Sequence, residues 1–192
     1  MEKTYRLLNI NVHNFEDEYY VTLVPLLEVL SKYDIISLQE VYNTDVLKEI
    51  VKGYNYTYNK GILLMTKYNI DIIEYRTCNE RYTSLLLIPS IHVTIFVTSV
   101  HNKLYDENVQ QFELEEILEK ISGYTAEYPS ILLGSFSSDT LFSEWSDHTV
   151  GMNNVYTKHI NTTSIIHPDL IQPLINDRLP KNSMKDTIQF RI

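Results

Sequence analysis

The sequence predicts an α/β fold in one soluble domain spanning residues 1–192. Strand-like and helix-like apolar periodicities alternate along the chain, and no repeat, low-complexity tract or Gly/Ser/Pro-rich linker divides them. Length agrees, since 192 residues at 44% hydrophobic and 21% charged fill one core and divide poorly into two.

Residues 5–12 alternate well enough for a strand. Residues 17–30 read as a helix, with acids in the first turn and a wide stripe of Val21, Leu23, Val24, Leu27 and Leu30 that Pro25 must distort. Residues 34–38 form a short buried strand. Asn43 or Thr44 then caps a helix that runs through Val51 and stops at Gly53, the residue type that takes a left-handed turn without cost. Residues 61–65, 70–75, 83–88 and 92–100 are β-branched and apolar runs that suggest antiparallel neighbours.

An amphipathic helix is predicted over 107–121, with Val109, Phe112, Leu114, Ile117, Leu118 and Ile121 as its core stripe and Gly123 after it. Its acidic edge, Glu113, Glu115, Glu116 and Glu119, is a solvated face or a surface for a basic partner. Residues 130–133 make another buried strand. In the polar tail, strands are expected at 154–156, 164–167 and 187–192.

A net charge of −9 weighs against nucleic-acid binding, because affinity for phosphate backbones comes largely from Lys and Arg releasing counterions. No run approaches the ~20 apolar residues of a membrane span, so no membrane role is expected. One cysteine, Cys78, cannot form an internal disulfide, which suits the cytoplasm. The triplets Asn55-Tyr56-Thr57 and Asn161-Thr162-Thr163 are then not expected to be glycosylated. A composition with 15 Tyr and only 5 Gly, rich also in Ile, Asn and Thr, is what an AT-rich genome encodes. Large DNA viruses are one such source, in which case the compartment is the host cytoplasm.

Four segments carry chemistry. Leu7-Leu8-Asn9-Ile10-Asn11-Val12 ends a strand on Asn11, and Asp34-Ile35-Ile36-Ser37-Leu38-Gln39-Glu40-Val41 ends one on Glu40. Thr94 to His101 ends on a histidine, and Pro129-Ser130-Ile131-Leu132-Leu133-Gly134-Ser135-Phe136-Ser137 carries a Gly-Ser-Phe-Ser turn. In this order they resemble the motif series of the DNase I-like endonuclease/exonuclease/phosphatase superfamily, over nearly the whole chain. The resemblance implies a two-sheet β-sandwich flanked by helices, the DNase I-like four-layer fold, here reduced in size.

It also implies roles. Glu40 matches the principal metal ligand, Asn11 the residue that holds the metal-site carboxylate or a phosphate, and His101 the contact to the scissile phosphate. A strand-end Glu beside an open cleft is a sensible anchor for magnesium. The structural alternative is an acid hydrogen-bonded to Asn11 or His101, and for His101 a histidine satisfied by the backbone.

The pattern breaks at the fourth segment, where Ser135 and Ser137 stand in place of the family's Asp and Asn. A hydroxyl has no accessible basic form near neutral pH, and losing a general base costs on the order of 10²–10⁴ in rate. The closing Ser-Asp-His is also replaced, with Met184 and Lys185 in the Asp and His positions. Thr163-Ser164-Ile165-Ile166 stands where an Asp precedes the penultimate strand's aromatic.

The resemblance therefore implies a vestigial site, no cofactor, and a pseudoenzyme that acts as a protein-binding or scaffold factor. One alternative is an active magnesium-dependent endonuclease or phosphodiesterase in which Asp139, Asp147 and His148 supply the missing groups. Ser146-Asp147-His148 is then a displaced motif instead of a polar loop. A third reading is a non-catalytic nucleic-acid or phospholigand binder, which the acidic charge disfavours.

Overall fold

The computed structural model describes residues 4–12, 23–72, 81–102, 106–136, 142–148, 154–166 and 184–191. Strands β1 (Thr4–Asn11), β2 (Ile35–Gln39), β3 (Asn55–Asn59) and β4 (Ile62–Thr66) join β11 (Asn161–Ile166) and β12 (Met184–Arg191) in a six-stranded sheet ordered β11-β12-β1-β2-β4-β3. The second sheet holds β5 (Asn69–Ile72), β6 (Tyr82–Ser90), β7 (Val93–Asn102), β8 (Ser130–Phe136), β9 (Ser146–Asp147) and β10 (Asn154–Lys158), ordered β5-β6-β7-β8-β10-β9. Among the described strands only β1–β2 and β7–β8 pair in parallel. These are the pairs whose connections contain helices α1 (Leu23–Leu30) and α3 (Glu107–Glu127), as parallel crossovers require. Helix α2 (Thr44–Ile50) follows β2, capped by Asn43, whose side chain accepts from the amides of Asp45 and Val46.

Side-chain alternation sorts the strands into layers. Leu8, Ile10, Ile36, Leu38, Leu63 and Met65 turn outward to Leu26, Val29 and Leu30 of α1 and to Val46 and Ile50 of α2. Tyr5, Leu7, Ile35, Leu64, Leu85, Leu87, Ile95, Val97, Ile131, Leu133 and Val155 fill the space between the sheets. Phe96, Val100, Leu132 and Tyr156 pack beneath Leu114, Ile117 and Ile121 of α3. The result is a helix/sheet/sheet/helix stack, the DNase I-like fold.

Strand β3, a stretch for which the sequence made no prediction, is closed onto β4 by the Lys60-Gly61 turn with both residues at positive φ. Two expectations about the long helix need correction. Helix α3 runs through Gly123 to Glu127, and stops where Tyr128 becomes extended before Pro129, as the residue before proline must. Val109 and Phe112 are 44% and 69% exposed, so they do not belong to the core stripe. Apolar periodicity counted them because it cannot see which arc of a helix meets the sheet. Residues 17–22 and 73–75, Cys78 and the strand ends His167 and Ile192 lie outside the described residues.

Candidate active site

Polarity between the sheets grades along the strands. Toward the C-terminal ends of β1, β2, β7 and β8 the inward positions change from Leu, Ile and Val to Asn9, Ser37, Gln39, Ser99 and Ser135, all buried. Buried polar groups need partners, and here they find each other. Gln39 Nε2 donates to Asn9 Oδ1 at 2.9 Å and to Ser37 Oγ at 2.6 Å, and the Ser37 and Ser99 hydroxyls lie 2.7 Å apart. Asn9 Nδ2 donates across the sandwich to the carbonyls of Gly134 (2.9 Å) and Asn154 (3.3 Å), while Asn154 Oδ1 accepts from the Phe136 amide at 2.9 Å. This network bolts β1 and β2 to β8 and β10.

Beyond it, at the strand ends, stand the partly exposed Glu40 and His101 beside Asn11. Asn11 Nδ2 donates to Glu40 Oε1 at 2.7 Å, and His101 Nε2 lies 3.6 Å from the same oxygen. Glu40 is at φ 61, a left-handed backbone uncommon for a residue with a long side chain and worth roughly 1–3 kcal/mol of strain. That turn at the end of β2 lies between two buried neighbours, Gln39 and Val41. His101 is placed by parallel pairing with Ser135, so the two side chains share the inner face, and its amide donates to the Arg81 carbonyl at 2.8 Å. Gly134 permits that pairing, for at φ 147 a Cβ would lie 1.8 Å from the Val100 carbonyl oxygen.

Tyr42, half exposed, covers Gly61 on the rim. Its phenol is pushed up by burial, then by the Glu40 charge, against an opposing pull from Arg81. Sequence reasoning gave Asn9, Gln39, Tyr42 and Arg81 no role. A signal existed for the first two, which are polar residues at inward positions of otherwise apolar strands.

The structure thus brings Asn11, Glu40, His101 and Ser135 together and leaves Asp147 and His148 apart. Asp147 pairs with Tyr156 on β9, the outer strand of its sheet, two strands beyond β8 and three beyond β7. At about 4.8 Å per strand this is on the order of 14 Å from the row of His101. His148 is used locally, its Nε2 2.9 Å from the Thr157 hydroxyl and its amide donating to the Val155 carbonyl. Met184 pairs with Ile10, which brings the start of β12 beside Asn11, where the closing motif of the resemblance would lie. Ser137 and Asp139 lie outside the described residues.

Among the described residues no three or more His, Cys, Asp or Glu side chains cluster as metal ligands. Glu40 is one carboxylate with Oε1 already accepting from Asn11, and magnesium demands near-octahedral oxygen donors. These residues by themselves do not fit a magnesium site. Nor is any described helix long and apolar enough to cross a membrane.

No protein-family model matches the sequence, and no curated protein sequence matches it. Solved structures do match over nearly the full length, and the fold they share with this chain is the two-sheet sandwich seen in endonuclease/exonuclease/phosphatase proteins. An endonuclease/exonuclease/phosphatase family protein from Bacteroides thetaiotaomicron superposes with TM-score 0.66 at 10% identity, covering 100% of this chain and 99% of that one. The human Nocturnin catalytic domain with bound sulfate gives 0.67 at 14%, covering 99% and 96%. A mannosyl-6-phosphatase from Bacteroides thetaiotaomicron gives 0.69 at 10%, covering 98% and 99%. At such identities the likeness establishes the fold.

Proposed function

We propose that this chain is a catalytically inactive relative of the metal-dependent phosphoesterases, retained as a protein-binding or scaffold factor. One observation carries the reading: a serine, Ser135, is the inner-face partner of His101, where hydrolysis calls for a carboxylate. Among the described residues Glu40 belongs to no group of three or more His, Cys, Asp or Glu side chains that could hold a metal ion. Asn11 donates to its Oε1 and His101 Nε2 lies 3.6 Å from the same oxygen, so structural contacts already occupy the carboxylate at a strained strand end. The single cysteine supports the cytoplasm as the compartment, and the composition supports a large DNA virus as the source.

The competing reading, an active magnesium phosphodiesterase, draws on Asp139, Asp147 and His148, and the place of Asp147 on β9 with His148 directly after it argues against the contribution of these two. A plasmid-nicking assay in magnesium or manganese decides between them. The expected result is no cleavage above background by the wild type or by Glu40→Ala. Metal-dependent nicking that Glu40→Ala abolishes reverses the proposal.

A further inference from the structure

Helix α3 carries more apolar surface than the core uses. Its buried residues Gln110, Leu114, Ile117 and Ile121 occupy one arc, and at about 100° per residue Phe112 points to the opposite side. It is 69% exposed, and Val109, one turn earlier, is 44% exposed. Carboxylates ring Phe112, with Glu115 and Glu116 one turn on and Glu119 two turns on. Glu116 pairs with Lys120 and Glu115 accepts from Gln111 at 3.1 Å, which still leaves the face acidic in a chain of net charge −9. Most of the Phe112 ring is left in water by this fold, and aromatic residues, Phe among them, are enriched at the cores of protein interfaces within a polar rim.

We infer that the outer face of α3 is a docking surface for a protein partner that offers an apolar pocket or stripe flanked by lysines or arginines. This rests on the protein-binding reading above and names the surface and the partner's chemistry. Charge complementarity selects the occupant. A nucleic acid is repelled by this face, and a second copy of α3 laid across it would set Glu115, Glu116 and Glu119 against their own equivalents.

The test titrates the full chain with two amphipathic helical peptides, one of leucine and lysine, the other of leucine and glutamate. The Leu/Lys peptide is expected to bind, the Leu/Glu peptide not. Phe112→Ser, which changes no charge, should weaken binding at least ten-fold, and the Glu115→Lys/Glu119→Lys variant should do the same. Ile91→Ser, on the 91% exposed turn between β6 and β7, should leave it unchanged. Equal binding by wild type and Phe112→Ser, equal losses in Phe112→Ser and Ile91→Ser, equal affinity for both peptides, or no binding at all overturns the α3 surface. None of these results yields cleavage, so the proposal it rests on fails separately, through metal-dependent nicking.

Discussion

Asn9 shows how one residue fixes a site it does not belong to. Its amide reaches two carbonyls of the opposite sheet, and its oxygen accepts a hydrogen bond from Gln39. Asn9→Ala would strand these groups in a buried space, where each unsatisfied partner costs ~1–3 kcal/mol. A loss of about 2–4 kcal/mol in urea unfolding is expected, and a loss under about 1 kcal/mol would mean that water replaces the amide. Gly134→Ala should be worse than its size suggests. The added methyl meets the Val100 carbonyl oxygen and the backbone stands at φ 147, so about 3 kcal/mol or more of destabilisation is expected. Neither effect was legible in the sequence, because an asparagine and a glycine in a motif look alike whether they bind a ligand or hold two sheets together.

At the scale of the element, α3 and β9 make separable predictions. Gly123 sits inside α3 with open space around it and an ordinary helical φ, so Gly123→Ala should stabilise the protein by roughly 0.5–1 kcal/mol, read as a higher urea midpoint. No change would indicate that the helix frays before reaching it. On the other side of the sheet, burial, opposed by Asp147, holds the His148 imidazole below its ordinary 6.5. The folded protein disfavours the charged ring, so below pH 6.5 the unfolded chain takes up that proton more readily. Stability from this group is whole above pH 6.5 and is lost as pH falls from there toward the lower folded-state value. Unfolding measured at pH 7.5 and 5.5 should show a larger drop for the wild type than for His148→Gln, and equal drops would dismiss His148 as a contributor.

For the whole molecule, the sandwich brings strand ends from four distant stretches of sequence to one cleft, and charge at that cleft decides what it does. Ser135→Asp would place a second carboxylate opposite His101 beside Glu40. In 10 mM magnesium that variant should melt higher by about 2–4 °C, the shift ~1 kcal/mol gives in a chain of this size, while the wild type moves by less than about 1 °C. A wild-type shift as large as the variant's would show that the cleft already holds metal. Much of the architecture was determined by the sequence alone: the strand alternation, the Asn43 cap and the order of the Asn11, Glu40 and His101 segments are local patterns. Tertiary structure decided the rest. It joined Asn9 and Gln39 to partners far along the chain, turned Phe112 and Val109 to solvent and set Asp147 on an outer strand with His148 directly after it. The physical reason is that periodicity records how often a side chain returns to one face, whereas burial, partnership and distance depend on what other segments bring to that face.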